Sequence, residues 1–337
     1  MALISVVSPC YNEEDNIDLL VKRLSETCET IEGWDYEIVL VDDGSSDRTR
    51  EILREHSEKN PHVRGVILSR NHGHQLALSA GLTVAKGDRV FILDADLQDP
   101  PERLPDMMER MDDGAHVVYG QRRKRDGETI FKKITAKAFY RLLNGLSDVP
   151  IPLDTGDYRL MSRKALNVLN SMPESHRFIR GMVSWVGLRQ EPLMYDRDER
   201  YAGETKYTLK KMISFALDAI TSFSIRPLKV ASLLGVGFAV MGCLGLVYAV
   251  TATFMGLTTP GWTSLISIIL ICSSAQLLVL GLIGEYIGRL YLESKNRPLF
   301  IIEDIFTSKE VETLRSDDDN KVHEALSMLE NQLRQTG

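Results

Sequence analysis

Residues 89–99 read Arg-Val-Phe-Ile-Leu-Asp-Ala-Asp-Leu-Gln-Asp, an apolar run that ends in a cluster of acids. Short runs rich in branched and aromatic apolar residues are typical of buried strands. A bare Asp-x-Asp pattern is common by chance, but open α/β sheets bind their ligands beyond the carboxyl ends of their strands. Because Asp94 and Asp96 directly follow such a run, the stretch predicts a strand that delivers two carboxylates to a binding site.

Four other stretches have the same strand-like composition, and helical patterns alternate with all five. The predicted strands are Leu3–Ser8, Tyr36–Val41, Val63–Leu68, Arg89–Leu93 and His116–Gly120. The helical patterns lie near residues 14–30, 47–59, 74–85 and 102–112. This alternation predicts an α/β fold with a Rossmann-like, mainly parallel sheet that helices cover on both faces.

Polar residues follow three of the predicted strands at the point where each strand ends. Residues 9–13 read Pro-Cys-Tyr-Asn-Glu, residues 42–47 read Asp-Asp-Gly-Ser-Ser-Asp, and residues 94–99 carry three acids. The carboxyl ends of parallel strands share one edge of a sheet, so these groups should meet there. Mg²⁺ is commonly shared between one or two carboxylates and substrate phosphates, which makes a phosphate-bearing ligand the natural occupant.

Several other chemistries lack their motifs in this chain. It has no Gly-x-Gly-x-x-Gly after the first strand, no phosphate-binding Gly-x-x-x-x-Gly-Lys loop and no Gly-x-Ser-x-Gly elbow. His72-Gly-His74 is not a convincing metal pair, and a loop lining or a helix start is the expected place for it. Four widely spaced cysteines argue against a disulfide framework or a zinc site and suit a reducing compartment. A net charge of −7 argues against a nucleic-acid partner.

Residues 230–284 contain no Asp, Glu, Lys or Arg, although 26% of the whole chain is charged. A membrane span needs roughly 20 apolar residues, so the stretch accommodates two spans, predicted at 228–255 and 262–290. A buried helical hairpin in a soluble core is the alternative. Basic residues flank the stretch on both sides, at Lys206, Lys210, Lys211, Arg226, Lys229, Arg289, Lys295 and Arg297. The positive-inside rule therefore predicts an inner (cytoplasmic) membrane protein with both termini in the cytoplasm.

The remaining segments frame these spans. Residues 201–227 include apolar positions at helical spacing with lysines on another face, which predicts an amphipathic juxtamembrane helix at the headgroup layer. Packing of this helix on the domain of residues 1–200 is a compatible alternative. Residues 291–337 form an acidic cytoplasmic tail with a short apolar stripe near its end. Docking of that stripe on a second subunit, as in a homo-oligomer, and fraying in water both stay open.

Five motifs together resemble the family-2 glycosyltransferases of the GT-A fold. They are Ser8-Pro-Cys-Tyr-Asn-Glu-Glu14, Val41-Asp-Asp-Gly-Ser-Ser-Asp-Arg-Thr49, Asp94-Ala-Asp-Leu-Gln-Asp-Pro-Pro101, Thr155-Gly-Asp-Tyr-Arg-Leu-Met161 and Arg177-Phe-Ile-Arg-Gly181. Within that family the chain resembles the polyprenyl-phosphate glycosyltransferases, the branch of the bactoprenol glucosyltransferases and dolichyl-phosphate mannose synthase. The resemblance covers about residues 3–300 and includes the two predicted spans.

The resemblance implies a role for each matching residue. The implied nucleotide-binding residues are Pro9, Tyr11, Glu13, Asp42 and Asp94, and the implied ligands of Mg²⁺ or Mn²⁺ are Asp94, Asp96 and Gln98. The implied catalytic residues are Asp157, Asp96 and Arg122, and the implied acceptor or phosphate contacts are Arg122, Lys133, Arg159, Arg200 and Lys206. Core packing is an alternative for Tyr11. Asp43 and Asp47 are explained more simply by turn and helix-cap chemistry.

The reaction that the resemblance implies is inverting transfer of a hexose from a nucleotide sugar to polyprenyl (undecaprenyl) phosphate. UDP-glucose is the leading donor, with UDP-GlcNAc, UDP-galactose and GDP-mannose as alternatives. Asp157 is the family's candidate base, yet a phosphate monoester has a second pKa of about 6 and is already largely anionic, so an orienting role is open too. A processive polysaccharide synthase is disfavoured because Gln-x-x-Arg-Trp is absent. A catalytically dead scaffold and a lipid-linked sugar flippase component are the rivals from other classes.

Overall fold

The strands of this computed structural model form a single sheet. The structure describes residues 1–123, 155–196, 226–255 and 261–308. The strands are β1 (Ala2–Cys10), β2 (Trp34–Asp42), β3 (Val63–Leu68), β4 (Arg89–Ile92), β5 (Val117–Arg122), β6 (Thr155–Ser162), β7 (Gln190–Tyr195) and β8 (Ile302–Phe306). They lie in the order β7-β5-β6-β4-β1-β2-β3-β8.

Helices connect these strands and cover both faces of the sheet. They are α1 (Ile17–Glu29), α2 (Thr49–Lys59), α3 (His74–Val84), α4 (Leu104–Asp112), α5 (Arg163–Ser171) and α6 (Ile179–Val186). Two longer helices, α7 (Arg226–Phe254) and α8 (Trp262–Ser294), follow β7 and pack on each other. A short 3₁₀ turn at Pro101–Arg103 precedes α4. All five predicted strands and all four predicted helices are present, with bounds that differ from the prediction by a few residues.

The prediction of a mainly parallel α/β sheet is confirmed. β1 pairs in parallel with β2 and β4, β2 with β3, and β5 with β7. β6 and β8 are antiparallel to their neighbours and make the sheet mixed. The sequence did not predict β6, because the charged residues Asp157 and Arg159 interrupt its apolar pattern while lying buried in the sheet.

Two hydrophobic clusters, one on each face of the sheet, form the core. Ile4 and Val6 of β1 pack in the cluster that includes Leu20 of α1, whereas Val7 packs in the cluster that includes Leu78 of α3. Alternate residues of one strand therefore serve opposite faces, as the two-residue repeat of a strand requires. Full burial of one such side chain contributes roughly 1.5–3 kcal/mol, so these clusters hold the strand ends in place.

The long helices α7 and α8 cover both predicted spans. Within the described ranges, Ile271–Ser294 is long and apolar enough to cross a membrane, and Ala231–Gly245 is a shorter apolar segment. The most apolar stretch of the longer segment contains no buried residue. Leu244 is 66% exposed and Leu277 is 69% exposed. The alternative of a hairpin buried in a soluble core is therefore not supported, and passage of both helices through a membrane stays a prediction.

The chain is attached to the domain of the sheet after this hairpin, at the end of α8 and at β8. At the end of α8, the carboxylate of Glu293 accepts hydrogen bonds from the backbone N–H and the hydroxyl of Ser175, both at 2.8 Å. β8 then pairs with β3, and the guanidinium of Arg50 pairs with Glu303 at 3.1 and 3.2 Å. These contacts tie the hairpin to the domain that carries the acidic loops.

We predict that Phe306→Ala lowers the stability of this attachment. The Phe306 ring is 9% exposed, packs against Gly65 of β3 and lies 4.5 Å below the guanidinium of Arg54. Removing a buried phenyl ring costs about 3 kcal/mol, which corresponds to a fall in Tm of about 6 °C or more. Thermal unfolding in detergent micelles, followed by circular dichroism, measures it.

The matched control is Ile301→Ala, because Ile301 is 56% exposed and contributes its backbone carbonyl, not its side chain, to the contact with Ser69. Its Tm should stay within about 2 °C of wild type, as is usual for exposed positions. Equal Tm shifts in the two variants would contradict the packing role of Phe306.

Candidate active site

The loops after β1 and β2 interlock at the carboxyl edge of the sheet. The backbone N–H of Asn12 donates to the Ser45 hydroxyl at 3.0 Å, and the Asn12 side chain accepts from the Ser46 N–H at 2.8 Å. Gly44 has a φ of +69°, and a Cβ there would lie 2.6 Å from the backbone of Arg70 and Asn71. Only glycine fits such a left-handed, close approach, so the loop after β3 packs directly on this pair.

Asp43 holds the loop that leads into α3. Its carboxylate accepts the backbone N–H groups of His72 and Gly73 at 2.7 and 2.9 Å. Burial raises the pKa of Asp43, and these two hydrogen bonds offset part of that rise. Asp47 accepts from the N–H of Thr49, the first residue of α2, at 3.0 Å. The turn interpretation is thus confirmed for Asp47, but the N-cap of α2 is Arg48, and Asp43 instead positions the next loop.

The residues predicted to bind a nucleotide surround these loops. Pro9 is buried at the end of β1, and Tyr11 is 45% exposed, so the core-packing alternative for Tyr11 is wrong. Glu13 donates its backbone N–H to the Thr49 hydroxyl at 2.9 Å. Asp42 is buried and accepts from the Ser45 N–H at 3.1 Å; burial raises its pKa. The structure brings these residues together, and their binding of a nucleotide stays a prediction.

The acidic loop after β4 contains an unusual backbone conformation. Leu97 has a φ of 58° although it is neither glycine nor asparagine, and it is 3% exposed. A bulky residue in this region is strained by about 1–3 kcal/mol and persists only where the surroundings impose it. The turn lets the Gln98 N–H donate to Asp96 at 3.2 Å. Asp96 also lies close enough to Asp94 to raise its pKa.

Asp94 lies between the acidic loop and the start of α3. Its Oδ1 is buried and accepts no hydrogen bond, and the Nε2 of His74 lies 3.5 Å from it. Burial raises the pKa of Asp94 to about 6, because the opposing effect of His74 is smaller and Asp157, Asp99 and Asp96 add to the rise. A buried carboxylate oxygen with an open lone pair suits a cation.

Asp157 at the start of β6 is the most heavily paired carboxylate of the site. It is fully buried. Arg180 donates Nε to its Oδ1 at 3.0 Å and Nη2 to its Oδ2 at 3.3 Å. Gln75 donates to Oδ2 at 2.9 Å, and His74 Nε2 lies 3.3 Å from the same oxygen. Burial alone would raise the pKa of Asp157, but Arg180, His74 and Arg159 outweigh it and hold that pKa well below its usual range.

Arg159 lies beneath Asp157 and is only 3% exposed. Its Nη2 donates to the carbonyl of Gly156 at 2.9 Å and lies 3.7 Å from Asp157 Oδ1. Burial lowers its pKa to about 10, and Asp157 opposes this change. A phosphate contact by Arg159 stays a prediction, while its observed contacts support the carboxylate above it.

Arg122 at the end of β5 is anchored by a second buried acid. Its Nε donates to the Tyr195 hydroxyl at 3.3 Å, and that hydroxyl donates to Asp99 Oδ1 at 2.6 Å. Burial lowers the pKa of Arg122, but Tyr195 and Asp99 reverse the effect and raise it. A Cβ on Gly156 would lie 3.3 Å from Arg122 Nη2, so Arg122 packs against the backbone just before Asp157.

Sequence reasoning missed five residues of this site: His74, Gln75, Asp99, Arg180 and Tyr195. His74 is the first residue of α3, as a helix start was expected, but it also contacts Asp94 and Asp157. The sequence does contain a signal for His74. β3 ends at the same edge of the sheet as its neighbours, and the loop after it leads directly to this histidine. Three predicted contacts, Lys133, Arg200 and Lys206, lie outside the described residues.

The metal prediction rests on the chemistry of the side chains. Among the residues that the structure describes, no group of three or more His, Cys, Asp or Glu is arranged as a metal site. Asp94, Asp96 and Gln98 nevertheless offer oxygen donors on one loop, and Asp94 Oδ1 lacks a hydrogen bond. Oxygen donors suit a hard divalent cation, so these residues fit Mg²⁺ or Mn²⁺. The four cysteines are free, as their spacing predicted.

Comparison with known proteins identifies the family. The model of glycosyl transferase family 2 matches residues 5–169, and the model of the GtrB C-terminal hairpin matches residues 226–290. An uncharacterized glycosyltransferase of Bacillus subtilis, YkcC, is 50% identical over 89% of this chain and 93% of its own length. The chain belongs to glycosyltransferase family 2.

Other relatives of this family-2 glycosyltransferase have more specific names. The bactoprenol glucosyl transferase of Shigella phage SfV is 39% identical over 89% of this chain and 98% of its own length. The solved structure of glucosyl-3-phosphoglycerate synthase from Mycobacterium tuberculosis with Mn²⁺, UDP and glucosyl-3-phosphoglycerate aligns with a TM-score of 0.42. It is 20% identical and covers 65% of this chain and 78% of that one. Because the family-2 model matches residues 5–169, the α/β sheet with its acidic edge belongs to the GT-A-like domain of a family-2 enzyme.

We predict that His74→Gln removes a pH-dependent part of the stability. Burial alone would lower the pKa of His74, but Asp157 and Asp94 raise it from 6.5 to about 9. The folded protein therefore keeps this proton to higher pH than the unfolded chain. The stabilisation is complete below pH 6.5 and is lost as the pH rises through about 9.

The measurement is the Tm of both proteins between pH 6 and pH 10 in the absence of divalent cations. Because the His74 side chain is 45% exposed, solvent screening limits the effect to about 1 kcal/mol. The difference in Tm between wild type and His74→Gln should be largest near pH 6 and should shrink towards pH 10. A difference that stays constant over this range would contradict the assignment.

Proposed function

We propose that this glycosyltransferase transfers a hexose from a nucleotide sugar to polyprenyl phosphate. The observation that carries the proposal is the pairing of a family-2 domain with a GtrB-type hairpin in one chain. A relative named bactoprenol glucosyl transferase aligns with 89% of the chain at 39% identity. Because that relative is named for glucose, UDP-glucose is the proposed donor, with GDP-mannose and UDP-GlcNAc as the alternatives.

The proposed location is the cytoplasmic face of the cell membrane. The phosphate of a polyprenyl phosphate sits at the bilayer surface while its hydrocarbon chain stays in the lipid. Helices α7 and α8, proposed to cross the membrane as a pair, would hold the GT-A-like domain at that depth. The attachments at Glu293 and β8 support this arrangement, because they keep the domain close to the end of α8.

On the donor side, we assign Pro9, Tyr11, Glu13, Asp42 and Asp94 to the nucleotide. Asp94, Asp96 and Gln98 would hold Mg²⁺ or Mn²⁺. When bound, this cation neutralises negative charge on the diphosphate of the departing nucleotide. Tyr11 is exposed at the end of β1 and offers a ring on which a base can stack, while the buried Asp42 orders the neighbouring turn.

On the acceptor side, Arg122 is proposed to bind the lipid phosphate. Its guanidinium is already oriented by Tyr195 and Asp99, so little ordering is needed when the phosphate arrives. Arginine is suited to this task because it presents two parallel N–H donors to one anion. Attack of a phosphate oxygen on the anomeric carbon from the side opposite the leaving group gives inversion of configuration.

We predict metal-dependent transfer of labelled sugar to a chloroform-soluble product. Membranes or detergent-solubilised protein would be incubated with undecaprenyl phosphate and a panel of UDP-glucose, UDP-GlcNAc, UDP-galactose and GDP-mannose, with EDTA or with Mg²⁺ or Mn²⁺. UDP-glucose should give the highest kcat/KM. Absence of transfer from every donor would contradict the proposal and favour a scaffold or a flippase component.

We predict that Asp96→Asn lowers kcat/KM by about 100-fold or more, because charge neutralisation by a bound cation is worth several kcal/mol in the transition state. The concentration of Mn²⁺ that gives half-maximal rate should rise in the same variant. The same transfer assay measures both quantities.

The matched control is Asp106→Asn. Asp106 lies on α4 and pairs with Arg103 at 2.9 Å, at a side chain that is 45% exposed. Its kcat/KM should stay within about twofold of wild type, since surface pairs contribute little. Wild-type metal dependence in Asp96→Asn would exclude Asp96 as a metal ligand.

A further inference from the structure

Asp157 is paired on every side by donors, which is unusual for a group that must accept a proton. Arg180 binds both of its oxygens, and Gln75 donates to one of them. His74 and Arg159 lie 3.3 and 3.7 Å away. Each of these contacts stabilises the charged carboxylate and so weakens it as a base.

Arg180 is the member of this group that faces outward. Its side chain is 29% exposed, whereas those of Asp157 and Arg159 are 0% and 4% exposed. Its third nitrogen, Nη1, donates to the carbonyl of Thr155 at 3.2 Å. Contacts with residues at the start of β6 thus hold the Arg180 guanidinium in one orientation. A planar, held guanidinium is well suited to bind a phosphate.

Arg122 lies against the same short segment, residues 155–157. It packs on Gly156, where an added Cβ would lie 3.3 Å from its Nη2. Each of the two arginines is anchored by its own buried acid, Arg180 by Asp157 and Arg122 through Tyr195 by Asp99. Arg180 and Arg159 lie 3.0 and 3.7 Å from Asp157, so these three side chains together carry a net positive charge. Such an excess in a partly buried site favours an anion.

We propose that Asp157 is a positioning residue that holds Arg180 against the acceptor phosphate beside Arg122, and that it takes no proton from the acceptor. This inference rests on the proposed function. The attacking oxygen of a phosphate dianion has no proton to lose. As its bond to the anomeric carbon forms, the bond from that carbon to the nucleoside diphosphate breaks, and the electron pair leaves with the diphosphate. The step therefore balances without a protein base.

The test is a double-mutant cycle on Asp157 and Arg180. The variants are Asp157→Asn, Arg180→Gln, Arg180→Lys and the double variant Asp157→Asn/Arg180→Gln, and KM for undecaprenyl phosphate, KM for the donor and kcat are measured for each. Arg180→Gln and Asp157→Asn should each raise the acceptor KM by about tenfold or more, because one charge-assisted contact is lost or misplaced. The donor KM should stay within about twofold, and Arg180→Lys should recover part of the loss.

The cycle separates positioning from base catalysis. If Asp157 acts through Arg180, the double variant is no worse than the poorer single variant within about threefold. A general base contributes about 10²–10⁴-fold to the rate, so Asp157→Asn should keep more than about a tenth of kcat at saturating acceptor if no base is needed. A loss of about 100-fold or more in kcat with unchanged acceptor KM, or multiplied effects in the double variant, would overturn the proposal. A rise in the donor KM instead would assign Arg180 to the donor diphosphate and overturn it too.

Controls distinguish this inference from folding and from the proposed function. Arg189→Gln is the matched control, because Arg189 pairs with Glu191 at 2.6 Å and is 57% exposed. The Tm of each variant identifies any variant that fails to fold. If Arg180→Gln fails to fold, Arg180→Lys still tests this position, because it keeps the positive charge. Binding of farnesyl phosphate without donor, measured by calorimetry on wild type, Arg180→Gln and Asp157→Asn, decides the inference even if no sugar is transferred. Equal affinities in that measurement would overturn it, whereas absence of transfer by wild type would count against the proposed function alone.

Discussion

The site is organised around one buried negative charge, the carboxylate of Asp157. Three elements begin beside it: β6 contains Asp157, α3 begins with His74 and Gln75, and α6 contains Arg180 in its first turn. Gln75 also accepts the N–H of Ile179, the first residue of α6, at 2.8 Å. Removing one partner of a buried ion pair costs about 3–5 kcal/mol, so these elements can hardly shift independently. Their relative positions determine where the remaining site residues lie.

Charge is distributed unevenly across the two halves of the site. The loop after β4 contributes Asp94, Asp96 and Asp99, whereas the end of β5 contributes Arg122 and the first turn of α6 contributes Arg180. His74 stands between them, 3.5 Å from Asp94 and 3.3 Å from Asp157. An acidic half suits a cation with its diphosphate, and a basic half suits a phosphate that arrives alone. One fold therefore presents an acidic half and a basic half side by side in the same site.

The sequence predicted the first five strands, the helices among them and the acidic edge, because these follow local patterns of apolar and turn residues. It could not predict β6, since buried charges such as Asp157 break the apolar pattern that marks a strand. It could not pair His74 with Asp157 either, because 83 positions separate them and only the sheet order brings them together. Arg180 lies within the motif of residues 177–181, but its pairing with Asp157 depends on how α6 packs and could not be predicted. Local signals thus located the elements, and long-range contacts completed the site.

The return of the chain to the sheet at β8 has a consequence for how the protein is made. β3 is an apolar strand, and without β8 its outer backbone groups would be open to pairing with another chain. β8 covers that row, and its own exposed side chains Glu303 and Asp304 discourage a further strand from joining. Ribosomes synthesise β8 only after both hairpin helices. The sheet therefore stays incomplete during synthesis of the hairpin, and β3 is protected against aggregation only once β8 has been made.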